Sequence, residues 1–325
     1  MNGNALWRGL FALVAALLIA VGVAACGSDN NDDSSSSSDS TSAIKENPAN
    51  NGKKITVGSK NFTEEFILGE IYSQALKAAG YDVKTDLNLG DENIALKAIQ
   101  DGQISGYPEY TSTALTSFFK VQPKDVPGDA AEAAKASEED FTKQGLVAFA
   151  PAPYDSANAV GILKSKADEL GVTKLSDLEG KSQDLTLYGS PECRQRPDCL
   201  VGLQQQGGLE FKEFKPVDIG LRYDVLDKGQ ADLSILFTSD GQLANTDKYV
   251  LLEDDKDVFP PGNPIFIASQ KAVDSAGPDF QSTIENVQSG LTNDVIRELN
   301  ARVDLDKEEP AAVAADYLKS AGYVD

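Results

Sequence analysis

The chain has 325 residues, 41% of them hydrophobic, with 51 acidic against 29 basic side chains and a formal net charge of −22. That length exceeds what one hydrophobic core usually supports, so two lobes are expected, and the acidic balance argues against nucleic acid and an anionic membrane surface as partners of the folded part. Histidine is absent, which removes the commonest general base and metal ligand; no catalytic residue, metal site or cofactor is expected.

The first 25 residues read as an export signal: Arg8 in the leading segment, an apolar run from Leu10 to Val23, then Val23-Ala24-Ala25-Cys26. The run is short for a membrane span and ends abruptly. Small residues directly before a cysteine resemble the lipobox of bacterial lipoproteins, although Val23 stands where leucine is more usual. That resemblance implies acylation of Cys26 and an exported, membrane-anchored protein facing the periplasm or the cell exterior. Residues 26–52 follow as a stretch of Ser, Asp and Asn with almost no apolar side chains, which predicts a flexible tether.

Lys54–Gly58 reads as a short apolar strand, and Asn61-Phe62-Thr63-Glu64-Glu65 opens a helix, with Asn61 or Thr63 as its cap and the glutamates at the positive end of its dipole. Tyr81 to Leu89 alternates as a strand with one buried face. A helix from about Glu92 to Gln100 and another short strand then lead to Gly-Tyr-Pro-Glu-Tyr-Thr-Ser-Thr, residues 106–113. Pro108 is expected to stop that strand, leaving a loop that presents Tyr107, Tyr110, Glu109 and three hydroxyls. Helices at 112–119 and 130–143 and a strand at 146–150 precede the breaker Pro151-Ala152-Pro153.

A second strand and helix alternation runs from Ala159 to Phe237, then through Tyr249–Leu252 to a second breaker, Pro260-Pro261-Gly262-Asn263-Pro264. A strand at 265–268 and helices at about 279–300 and 310–321 complete the chain. Alternation of this kind predicts open α/β sheets in both halves. If both proline clusters are crossings, the first lobe is discontinuous, 53–152 with 256–325, and 153–255 is the inserted second lobe. Two crossings form a hinge. Ala98–Ser105 leading into the octet is echoed by Val225–Asp232 leading into Leu233–Asp240: helix, Gly-Gln turn, strand, then an aromatic with hydroxyls. Ligands of open α/β sheets sit beyond the carboxyl ends of strands, so the two exits are natural facing walls of a cleft.

Cys193 and Cys199 flank Arg194-Gln195-Arg196-Pro197-Asp198. In an exported protein such a pair most simply forms a disulfide; a reactive thiol lacks a histidine to activate it, and a two-cysteine metal site is weaker still.

With these pieces placed, the chain resembles the substrate-binding proteins of glycine betaine/choline/osmoprotectant ABC importers. The resemblance is carried by Gly58-Ser59-Lys60-Asn61-Phe62-Thr63-Glu64, Tyr107-Pro108-Glu109-Tyr110-Thr111, Asp218-Ile219-Gly220-Leu221, Thr238-Ser239-Asp240-Gly241 and Phe259-Pro260-Pro261. It implies the two-lobed periplasmic-binding-protein fold of type II, and a quaternary ammonium ligand held in a cage of tyrosine faces and delivered to ABC permease subunits by a monomeric binding protein. Tyr110 falls on a cage position of the first lobe and Phe237 on one of the second; two further cage positions fall on Ala159 and Gly262, which carry no ring. Lys60 and Thr113 match polar ligand contacts, and Arg196 matches an Arg-Pro-Asp motif that meets a ligand carboxylate; Thr111 and Asn158 complete the candidate set. Losing two desolvated cation–ring contacts costs roughly 4 kcal/mol, about a thousandfold in affinity, unless Tyr154, Tyr188, Tyr223 or Phe259 replaces them. Otherwise a different polar or anionic solute is expected. An enzyme using Glu109 as a base and a receptor-coupled sensor are the readings from other classes.

Overall fold

The computed structural model describes residues 42–325. The expected signal segment, Cys26 and the expected tether up to residue 41 lie outside the described residues. Residues 42–52, also assigned to the tether, are folded. Ile44 packs on the main core and its N–H donates to the Tyr323 carbonyl at 2.8 Å, while Asn47 and Asn50 both donate to Asp279 Oδ2, at 2.6 and 3.1 Å. Asparagines that read as coil formers here cap a turn, Pro48–Asn50, and anchor it.

Among the described residues, ten strands form two sheets of five. The first sheet contains β1 (Lys54–Gly58), β2 (Asp82–Asp86), β3 (Gly106–Tyr110), β4 (Leu146–Ala148) and β10 (Pro264–Ser269), in the order β2-β1-β3-β10-β4. The second contains β5 (Asn158–Leu163), β6 (Thr186–Gly189), β7 (Glu213–Pro216), β8 (Leu233–Phe237) and β9 (Tyr249–Leu251), in the order β7-β6-β8-β5-β9. The two orders have the same pattern. In each, a central strand lies parallel to one neighbour and antiparallel to the other: β3 between β1 and β10, β8 between β6 and β5. The segments noticed as an internal echo are thus the two central strands and their approaches.

The chain crosses between sheets after β4 and returns before β10, and the crossings run side by side. Ser156 N–H donates to the Gly262 carbonyl at 2.9 Å and Ala152 N–H to that of Pro264 at 2.7 Å, while the Asn263 amide donates to the carbonyls of Ala152 and Tyr154. The first sheet is therefore built from two separated stretches of chain and the second from the segment between them. Each sheet has its own apolar packing, Val57, Ile67, Tyr72, Phe266 and Phe280 on one, Val160, Leu187, Leu203 and Leu233 on the other. The lobes also meet where Gly241 lies so close to Ala301 that a Cβ would fall 2.3 Å from its backbone nitrogen.

The sequence reading needs three local corrections. Residues 106–110 are not a loop after a strand but β3 itself, with every residue buried. Pro108 is tolerated there because its partner Phe266 spends its carbonyl on Phe149, and β1 pairs only as far as Gly106. The helix expected at 279–300 is two, Pro278–Ser289 and Asn293–Asp304, parted at Gly290, where a Cβ would meet the Tyr323 and Tyr317 hydroxyls, with Thr292 capping the second. The strand expected over 81–89 is shorter, and as the sheet edge it is largely exposed. No helix among the described residues is long and apolar enough to cross a membrane.

Candidate functional site in the cleft between the sheets

Tyr110 ends β3 and Phe237 ends β8, so the two central strands aim a ring each at the gap between the sheets. Both line one cavity of ≈ 680 Å³, counted with its solvent-open part. They do not face each other directly. Phe62, the extended residue before the helix Thr63–Ala78, inserts between them, its centroid 6.1 Å from that of Tyr110 and 5.2 Å from that of Phe237. Its place beside Lys60 and Asn61 in the first motif was visible in the sequence, but nothing there marked it as a cleft residue.

The first-sheet wall stands on buried acids. Glu109 is fully buried: one oxygen is held by Lys60 Nζ and by the Tyr110 N–H at 2.8 Å, the other by the Tyr107 hydroxyl at 3.0 Å. It does not reach the cavity, so it presents no free base. Glu64 accepts from the hydroxyls of Tyr110 at 2.7 Å and Tyr154 at 3.1 Å and from the Asn300 amide at 2.9 Å. These bonds fix the Tyr110 ring from behind, and burial followed by Glu64 raises its hydroxyl pKa well above the usual range. Lys60 Nζ sits 4.4 Å from the Tyr110 centroid and 5.8 Å from that of Phe62. Neither Asn61 nor Thr63 caps the helix; Thr63 Oγ1 donates to Asp304 instead, and Glu65 Oε2 accepts the Lys60 N–H at 2.8 Å. Burial pushes Glu65 up to about 8, with Lys60 opposing. Among the described residues its other oxygen has no hydrogen-bond partner, and Lys60 Nζ lies 3.7 Å from it.

The second-sheet wall is held by ion pairs. Arg222 stacks on Phe237 with its guanidinium carbon 3.9 Å from the ring centroid, and donates to Asp240 Oδ1 at 3.0 Å. Asp240 Oδ2 also accepts from the Tyr223 hydroxyl and from the Phe237 N–H. Cys193 and Cys199 are disulfide-bonded, with their Cα atoms 5.2 Å apart, and both line the cavity. The loop they close presents Arg196, which grips Asp198 through two nitrogens, at 2.9 and 2.5 Å, and reaches across the cleft to Thr113 Oγ1 at 3.1 Å. Asn158 supports this loop by donating to the Asp198 carbonyl at 3.0 Å.

Lys60, Tyr110, Thr113, Asn158, Arg196 and Phe237 thus converge on one cavity. Thr111 does not. It is fully buried, and its Oγ1 accepts the Asn263 N–H at 3.1 Å, fastening the return crossing to the end of β3. Ala159 lies within the β5–β8 ladder, and neither it nor Gly262 lines the cavity. A Cβ on Gly262 would meet Ser112 Oγ at 2.5 Å, which leaves no room for a ring. None of the substitute rings lines the cavity either. Tyr154 is committed to Glu64 and Tyr223 to Asp240, while Tyr188 and Phe259 pack with the second lobe's apolar clusters. The sequence reading missed Phe62, Arg222 and Glu92 as lining residues; an arginine ahead of an aromatic in a helix, Arg222-Tyr223, looks like surface charge until the fold places it.

Two sheets of matching order, joined by paired crossings and sharing a cleft lined from both, define the two-lobed class of extracytoplasmic-type solute-binding folds. Comparison with known proteins makes the assignment specific. Residues 53–320 match the family described as the substrate binding domain of ABC-type glycine betaine transport systems, and the chain belongs to that family. It is 31% identical over 282 residues to a glycine-betaine-binding protein of Pseudomonas aeruginosa, covering 83% of this chain and 89% of the relative. A Helicobacter pylori ergothioneine transport permease/ergothioneine binding protein is 28% identical over 284 residues, 86% of this chain but 49% of the relative, so the chain spans about half of that protein. Among solved structures, a glycine betaine/carnitine/choline ABC transporter superposes with a TM-score of 0.66 at 26% identity, over 83% of this chain and 100% of the other. Lactococcal OpuAC, closed on glycine betaine, shares the fold with a TM-score of 0.59 at 15% identity, over 82% and 96%.

Proposed function

We propose that this protein is the exported, lipid-anchored binding component of an ABC importer, held to the membrane through Cys26, and that it closes as a monomer on a small betaine-like zwitterion. The observation that carries the reading is the convergence of Lys60, Tyr110 and Thr113 from one sheet with Asn158, Arg196 and Phe237 from the other on one cavity. In this assignment the ligand carboxylate meets Arg196 and Thr113, and its cationic head lies against the ring row Tyr110, Phe62 and Phe237. Glycine betaine and carnitine, named for relatives from Pseudomonas aeruginosa and Listeria monocytogenes, are the first candidates.

A second reading, a more polar solute in the same cleft, is favoured by one observation. The protein's own cations already sit on these rings, Lys60 on Tyr110 and Phe62, Arg222 on Phe237. A bare quaternary cation must share those faces with like charge. An anionic solute is the weaker form of this reading, because Lys60, Arg196 and Arg222 are each paired to a carboxylate.

Thermal unfolding in the presence of glycine betaine, carnitine, choline and a set of amino acids tests both. A ligand at 100 times its Kd should stabilise the protein by about 2.7 kcal/mol, and Tyr110→Ala should remove most of that gain. No shift with any betaine-like compound would end the first reading, and a full shift in the variant would remove Tyr110 from the site.

A further inference from the structure

Glu92 has no part in the assignment above, and we propose that its carboxylate accepts a hydrogen bond from the head group of the bound solute, so that the site prefers a betaine-like zwitterion retaining an N–H or O–H over one that is fully N-methylated and has neither. The inference rests on the proposed solute-binding role and narrows its ligand class.

Glu92 is 4% exposed and lines the cavity. It opens the helix Glu92–Gln100 behind its cap, Asp91. Among the described residues, no donor from another residue lies within hydrogen-bond distance of its carboxylate, and the nearest cationic nitrogen is Arg196 Nη1, at 3.7 Å. Two of that arginine's nitrogens, Nε and Nη2, are spent on Asp198 and Thr113, and Nη1 is left to the ligand carboxylate of the proposed assignment. The other cations lining the cavity are spent as well, Lys60 on Glu109 and Arg222 on Asp240. Of the remaining acidic neighbours, Asp91 accepts the N–H groups of Asn93 and Ile94, and Glu192 is only partly buried. Glu92 is therefore the cavity-facing carboxylate that is withdrawn from water and accepts no hydrogen bond from another described residue.

A buried carboxylate in that condition is costly until a donor reaches it. Burial raises its pKa, and the Arg196 charge followed by its own backbone N–H draws it back down. A quaternary ammonium supplies charge and no donor. A tertiary or secondary ammonium, or a hydroxyl, supplies the missing bond, and with an ammonium that bond is charge-assisted at both ends.

The matched probes are N,N-dimethylglycine and glycine betaine, which differ by one methyl in place of one N–H. Titration calorimetry on the whole protein at neutral pH should show dimethylglycine binding about tenfold or more tightly than glycine betaine. In Glu92→Met, which has no equivalent acceptor, the two should bind within about threefold of each other. Glu92→Gln, which keeps a neutral acceptor and a similar shape, should give an intermediate ratio, and it carries the test if the Met variant does not fold. Wild-type protein that binds glycine betaine as tightly as dimethylglycine, or a Glu92→Met variant that keeps the wild-type ratio, overturns the inference and leaves the solute-binding reading standing. Failure of both compounds to bind wild-type protein overturns the betaine-like reading and this inference with it.

Discussion

The two walls of the cleft each present a ring, and they fix it by different means. On the first sheet, Tyr110 is anchored through its own hydroxyl to Glu64, which Tyr154 and Asn300 also hold, so the ring ends a buried hydrogen-bond network. On the second, Phe237 has no hydroxyl; Arg222 stacks on its ring and Asp240 holds both that arginine and the Phe237 N–H. The difference shows that a ring can lose its polar handle without losing its place, provided a paired cation takes over. That cation then occupies part of the surface a ligand would otherwise use.

Removing the second wall's cation should have the largest effect. Arg222→Ala leaves Asp240 buried without its charge partner and should lower unfolding free energy by about 3–5 kcal/mol, read from urea denaturation. A loss below about 1 kcal/mol would mean that the Tyr223 and Phe237 bonds suffice for Asp240 and the ion pair contributes little.

The first wall is sharpened by Glu65→Gln. The folded pKa of Glu65, about 8, lies above its usual 4.5. Between these values the folded chain keeps a proton that the unfolded chain releases, so this residue's contribution to stability falls as pH rises from about 4.5 to 8. The variant, lacking that group, should show a flatter Tm-against-pH profile and an advantage on the order of a few kcal/mol at pH 8 that vanishes near pH 5. Parallel profiles for the two proteins would show that Lys60 keeps Glu65 ionised.

Tyr110→Phe makes the first wall's ring like the second's and should have the smallest effect. It removes one hydrogen bond to a carboxylate that keeps two others, about 1.5 kcal/mol by chemical denaturation. A loss as large as that of Arg222→Ala would mean that the hydroxyl organises the whole buried network.

The sequence made the architecture readable because each level agreed with the next. Alternating strands and helices, two proline clusters and the repeated helix–Gly-Gln–strand unit correspond to the two sheets, the crossings and the central strands. The errors came where tertiary context overrode a local rule. Pro108 does not end its strand, since no ladder bond is demanded at its nitrogen. Asn47 and Asn50 read as part of a tether but find Asp279, more than two hundred residues away in sequence. Among the cavity-lining residues, Lys60 and Tyr110 lie in recognisable motifs and were candidates, Phe62 lies in one and was passed over, and Arg222 and Glu92 become visible when the two lobes meet. Thr111 erred in the other direction: its motif suggested a ligand contact, but its hydroxyl fastens a crossing.

Gly262 carries one more consequence. A Cβ on it would begin 2.5 Å from Ser112 Oγ and 2.9 Å from the Ser156 carbonyl oxygen. Even a single methyl there is a wedge driven into the jamb, so the position that the family resemblance marks as a missing cage residue is one where the crossing needs nothing at all.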